Sequence, residues 1–210
     1  MAITTYSTLK TAVQTFYRDR SDVATYVDDL IDLAEGRLNF GGEDGAPPLR
    51  HHEMITSTDI TPSSNVYALP SDYLQYVRVT EKASIRRKLE YITPGAVDDM
   101  YASRLSGLSN NFTIYGLNLY TYPLSSNDVE LVYYQEIPAL SDSNTTNWLI
   151  NRYPNLYLRT CQMMAAELFK DYDDMARLAE IVNNLVDNLN NVSYLGEFTG
   201  ASMQPMGPTP

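Results

Sequence analysis

Cysteine is almost absent from this 210-residue chain: Cys161 stands alone, so no intrachain disulfide framework and no multi-cysteine metal site can form. Histidine is nearly as scarce. The adjacent pair His51-His52 is the whole supply, which argues against a multi-histidine zinc site. Positive charge is also short. Lys plus Arg number 15 against 26 Asp plus Glu, a net charge of −11. A chain this acidic is poorly suited to clamping nucleic-acid phosphates or an anionic membrane surface, because both need clustered cations. No run approaches the ~20 apolar residues of a membrane span. The first residues lack a basic region followed by an apolar run, so no secretory leader is expected.

Apolar residues are plentiful at 44%, against 20% charged, so the chain can bury a core. Tyrosine is over-used, with 17 copies against 5 Phe and 1 Trp, and ten of them lie between Tyr67 and Tyr134. A large apolar face with a polar tip suits half-wet strands, the favoured explanation here, and also subunit contacts.

Hydrophobic spacing divides the chain into helices, then sheet, then helices. Thr5 or Ser7 can cap a short helix through about Arg18, with Leu9, Val13 and Phe16 on one side. A second helix begins at Ser21-Asp22 and turns Val23, Val27, Leu30, Ile31, Ala34 and Leu38 to one face. Asp28, Asp29, Asp32 and Glu35 fall on the other. Gly41-Gly42 and Pro47-Pro48 end it. From His51 to Pro138 the period drops to two. Strands are expected at 54–60, 65–70, 76–80, 87–92 and 129–136, with a hairpin turning near Gly116 and a short helix opening at Thr93-Pro94. They are expected to form one small, mostly antiparallel sheet. Beyond Thr145 the pattern is helical again. Asn144 or Thr145 caps a turn holding Trp148 and Leu149, and Tyr153-Pro154 restarts the chain. The next helix, about 155–169, should bury Leu158, Cys161, Ala165, Leu168 and Phe169. The last, about 173–192, carries Met175, Leu178, Val182, Leu185, Leu189 and Val192 as a seam of period 3.5 that fits packing on other helices or on a neighbouring copy.

The expected architecture is α+β, mainly α. It is a helical bundle (helices within 5–40 and 145–193) with an inserted small antiparallel β-region at 50–140, making one domain over 1–194. An extended C-terminal arm over 195–210 follows. The arm's only charge is Glu197, and its glycines and prolines deny it regular structure. Tyr194, Leu195, Phe198, Met203, Pro205, Met206 and Pro208 are its candidate contact residues, should it order on a partner.

Catalytic constellations are weak. His51 and His52, read as strand neighbours, point to opposite faces. Asp28-Asp29, Asp98-Asp99 and Asp173-Asp174 are carboxylate pairs, but neighbouring acids on exposed turns are not two carboxyls held across a cleft. Cys161 sits on an inward stripe, where a small apolar thiol is expected. Gly41-Gly42 and Gly45 lack the Gly-Lys-Ser/Thr of a phosphate loop. Arg86-Arg87-Lys88, the most basic run, is offset by Glu81 and Glu90. No cofactor and no catalytic residue is assigned. A carboxylate-dependent hydrolase of cell-wall glycan, built on Asp98 and Asp99, is the competing enzymatic reading.

Two stretches carry a family resemblance. One is Tyr67-Ala-Leu-Pro-Ser-Asp-Tyr-Leu74 leading into the strand from Tyr76. The other runs Tyr134-Gln-Glu-Ile-Pro-Ala-Leu140, Asn147-Trp-Leu149, Tyr153-Pro154 and Ala165-Ala-Glu-Leu168, ending in the long helix. With the preceding helices, from about residue 5 to 192, this layout resembles the head-to-tail adaptor (connector) proteins of tailed bacteriophages. The resemblance implies a structural virion protein at the head–tail neck, not an enzyme. It implies a dodecameric ring of copies beneath the portal protein, lining the channel for genomic DNA and offering a platform to a downstream neck or tail protein. No membrane is involved, and assembly is expected in the host cytoplasm. The arm would lie against the portal or an adjacent subunit. A stopper or tail-completion protein is the near alternative.

Overall fold

A computed structural model describes residues 2–17, 22–42, 45–103 and 105–198. Among them are six α-helices and eight strands, which divide into two compact units. One unit comprises 1–52 and 137–210, the other 53–136.

The first unit is helical. Helix α1, Tyr6–Phe16, starts where Thr5 takes the Thr8 amide while the Thr8 side chain answers the Thr5 amide, a reciprocal capping box. Helix α2, Val23–Phe40, buries all six apolar positions expected of it. It stops at Gly41, whose φ of 90° suits glycine, and a Cβ there would come within 2.7 Å of the Ala46 carbonyl. Helix α4, Trp148–Arg152, is capped by Asn147, whose side chain accepts the Ile150 amide. The cap is therefore not Asn144 or Thr145, because Asn147 alone stands where its carbonyl reaches the first free N–H groups.

Helix α5, Pro154–Leu168, packs against α1, α2, α4 and α6, the last spanning Tyr172–Phe198. Being covered on several sides, it has no single inward stripe. Leu156, Tyr157, Thr160, Cys161, Gln162, Met163, Ala165 and Ala166 are all buried. Leu158 is only half-buried and Leu168 is 45% exposed, contrary to expectation. Small residues on the crowded sides admit neighbouring helices, so periodicity alone misplaces the contact face.

Among the described residues this unit has no strands, and several amides of its extended backbone find side-chain acceptors. Glu35 accepts the Leu140 amide at 2.9 Å and Asn39 accepts Ile137 at 3.0 Å. Asn190 accepts Arg50 at 2.7 Å and Ser193 accepts His52 at 2.8 Å.

The second unit contains β1 (Ile55–Ile60), β2 (Tyr67–Ala68), β3 (Tyr73–Lys82), β4 (Arg86–Lys88), β5 (Glu90–Tyr91), α3 (Pro94–Met100), β6 (Asn111–Tyr115), β7 (Asn118–Tyr122) and β8 (Val129–Gln135). These form two four-stranded sheets, ordered β1-β8-β3-β4 and β2-β7-β6-β5, in place of the single small sheet expected. The segment read as one strand over 87–92 divides at Leu89, each half joining a different sheet. The β5–β6 pair is parallel and the others antiparallel. Gly116, with φ 57°, turns the β6–β7 hairpin. Val79, Leu131 and Tyr133 of one sheet and Tyr67, Phe112 and Leu119 of the other share one core. The chain is thus mixed α+β, and its β-region is mostly antiparallel as expected but forms two small sheets rather than one.

The last helix also revises the arm. α6 continues through Phe198, so 195–198 is helical rather than extended. Met203, Pro205, Met206 and Pro208 lie outside the described residues, as do the side chains of Tyr194, Leu195 and Phe198.

Candidate functional site

The groups considered for catalysis are occupied structurally. His51 and His52 do not sit on a strand: His52 opens a short 3-10 turn, and the two rings lie 4.0 Å apart. His51 is fully buried, stacked on Trp148 at 5.3 Å and 10° and meeting Tyr153 edge-on at 5.5 Å. No group of three or more His, Cys, Asp or Glu among the described residues could hold a metal ion. Asp28, Asp29, Asp98, Asp99 and Asp173 are exposed. Asp28 accepts from the Tyr6 hydroxyl at 2.8 Å, and that bond, helped by Lys10 at 3.0 Å, lowers its pKa. Cys161 is fully buried, and burial pushes its thiol far up, the opposite of what a nucleophile needs.

Among the described residues two acids are buried, one in each unit. Glu35, expected on the polar face of α2, is 5% exposed. Its Oε1 accepts from the Leu140 amide and from the Tyr157 hydroxyl, which in turn accepts from Asn147 Nδ2 at 3.1 Å. Desolvation outweighs these bonds and raises the Glu35 pKa; burial, then Glu35 itself, pushes Tyr157 up. Glu81, fully buried on β3, accepts from the Ser109 amide at 3.1 Å, from Asn127 Nδ2 at 3.1 Å and from the Ser125 hydroxyl. Tyr67 of the other sheet donates to the Asn127 carbonyl at 2.8 Å, so this acid gathers loops across both sheets. Both are turned away from solvent and held by these bonds. Each is a brace.

What the surface offers is apolar contact. On α2, Tyr26, Leu33 and Phe40 are 44%, 58% and 67% exposed and fall at steps of seven on the side turned away from the core. The sequence held this signal, three large apolar residues among acids, but the stronger inward stripe masked it. Beside Leu33, α2, α5 and the first turns of α6 enclose a groove of about 490 Å³. Met163, Met164, Met175 and Leu168 form its apolar wall, with Arg37 and Glu167 at its edge.

On α6 the expected seam splits. Leu178 and Val182 are buried by the chain's own helices, joined by Val186 and Ser193. Met175, Leu185 and Leu189 are half-buried and Val192 is 59% exposed. A straight helix turns every 3.6 residues, so a 3.5-residue repeat drifts off the packed face towards solvent. In the β unit, Tyr67 and Tyr122 are completely buried, while Tyr91 and Tyr115 keep about two-fifths of their surface exposed. No described helix is long and apolar enough to cross a membrane.

Among curated proteins, no sequence matches this chain. The family comparison does find a match, and it takes in both units. Residues 4–201 fit the profile of the SU10 adaptor protein. A structural role accords with buried acids that brace and apolar surfaces that stay open, and the chain belongs to the SU10 adaptor protein family, a family of phage head-to-tail adaptors.

Proposed function

We propose that this protein is the head-to-tail connector of a tailed phage virion: a ring of copies beneath the portal protein, lining the DNA channel and providing the platform for the neck or tail. The family match over residues 4–201 carries this reading. Physical features support it. A closed ring needs two different patches per copy that meet head to tail. The α2 stripe with its groove is one, and the uncovered part of the α6 seam with segment 195–210 is suited to the other. The excess of 11 acids suits a wall that repels the duplex, which carries a charge every ~1.7 Å of axis, and so lets it pass ungripped. On this reading the helical unit with its inserted β unit acts as one adaptor domain and has no catalytic duty.

Electron microscopy of the particle tests it. Density for this chain as a ring between portal and tail is the expected result. Density elsewhere, or a chain that remains monomeric when mixed with its portal, overturns it.

A further inference from the structure

We propose that the β3–β4 hairpin of one copy docks on the outward face of α2 in the next, with Ile85 against Leu33 and Tyr26, and with Arg86 and Lys88 facing Asp29 and Asp32. This rests on the ring reading above and adds a contact between opposite charges to the α2 patch.

In a chain of net charge −11, residues 78–88 hold five of the 15 cations. Strand register gathers them. Thr80 pairs with Lys88 and Lys82 with Arg86, so Lys82, Arg86 and Lys88 share one face of their sheet with Arg78, while Glu81 is buried on the other face. The acids that answer them are Asp59, bonded to Lys82, and Glu130, 3.3 Å from Arg78 and 3.6 Å from Arg86. Four cations against two acids leave this face positive. Lys88 is exposed and makes no ion pair among the described residues. At the turn of the hairpin, beside Arg86, Ile85 is 77% exposed.

An apolar tip flanked by cations is matched by an apolar patch flanked by acids. The outward face of α2 is such a patch. Asp22, Tyr26, Asp29 and Leu33 follow at steps of four, three and four along it, and Asp32 adjoins them. All five are exposed, and Asp29 and Asp32 make no ion pair among the described residues. Both faces are bare on the single chain, so what covers them comes from outside it.

A neighbouring copy suits the hairpin better than the duplex does. Bare cations in a channel would hold phosphates and slow their passage, whereas cations covered between copies leave an acidic wall intact. One face belongs to each compact unit, so every copy carries the two unlike patches that a head-to-tail ring requires.

Charge reversal tests this in sedimentation velocity of the full chain, up to about 1 mM. The wild type should associate as concentration rises, and about tenfold more weakly when salt is raised from about 0.05 to 0.5 M. R86E with K88E makes the hairpin acidic, and D29K with D32K makes α2 basic; circular dichroism checks that each folds. Each variant alone sets like charges face to face and should lose about tenfold or more in association constant. Mixed in equal amounts, the two should return to within about threefold of the wild-type constant, because every hairpin then meets an α2 of opposite sign. Where a reversal does not fold, R86Q with K88Q or D29N with D32N replaces it and should weaken association by about threefold. A wild type that stays monomeric, a variant that associates like the wild type, or a mixture no stronger than its components overturns the proposal. So does tight binding of labelled duplex DNA that R86E with K88E abolishes, which would assign the face to nucleic acid. If every variant still assembles, the ring reading survives on other contacts and only this contact falls. A micrograph placing the chain away from the neck removes the ring reading, whatever the sedimentation result.

Discussion

The helical unit and the β unit each bury a glutamate, and each uses it differently. In the helical unit, Glu35 fixes one extended segment, 137–147, through Leu140 and the Tyr157–Asn147 relay. In the β unit, Glu81 receives donors on both oxygens and holds loops from two sheets. The helices would pack without Glu35, because apolar stripes on α1, α2, α5 and α6 already specify their contacts. The two sheets share one apolar core, and the bonds to Glu81 add a polar tie between their loops. Stripes therefore suffice where elements are long, whereas short strands need a buried polar tie, satisfied by every donor near it.

The largest expected effect is on that tie. Glu81→Ala strands three donors, two of them buried, and should cost about 3 kcal/mol or more, read as a lowered denaturant midpoint in the near-ultraviolet tyrosine signal. Glu35→Ala should cost less, about 2 kcal/mol, followed by the fluorescence of Trp148. Equal losses would break the contrast between the units.

Next comes a pair on α2. Ile31→Ala, at a fully buried site, should destabilise by about 2–4 kcal/mol, whereas Leu33→Ala two residues on should change stability by less than about 0.5 kcal/mol. Thermal unfolding of both variants checks it. A comparable loss at Leu33 would mean that the exposed stripe is already occupied within the chain.

The smallest effect is a pH dependence. The folded pKa of Glu35 lies above its ordinary 4.5, so the fold favours the protonated acid. That contribution is fully present below about pH 4.5 and is lost as pH rises through the higher folded value. Asp28 works the other way: its lowered pKa gives stability above its ordinary 3.8 that is lost as acid titrates it. Glu35→Gln should remove the first slope and leave the second, by pH-dependent urea unfolding. An unchanged slope above pH 4.5 would assign it to another group.

Much of the fold was legible. The inward face of α2, the α3 start at Thr93-Pro94, the Gly116 hairpin and strand β8 all stand where periodicity and turn residues put them. The errors share a cause. Leu168 and Glu35 were assigned by the spacing of one helix, yet α5 is packed on several sides and Glu35 meets a segment a hundred residues away. Leu89 divides a strand because two sheets compete for its flanks. The candidate surface was half visible: Tyr26, Leu33 and Phe40 could be counted, but that they remain uncovered could not.

The sequence alone determined the family, the acidity and the run of helix, strand and helix, because these depend on composition and on neighbours a few residues apart. Tertiary structure alone decided which acids go inside, how eight strands divide between two sheets, and which apolar residues stay bare. Those outcomes depend on contacts between residues distant along the chain, and no local spacing encodes them.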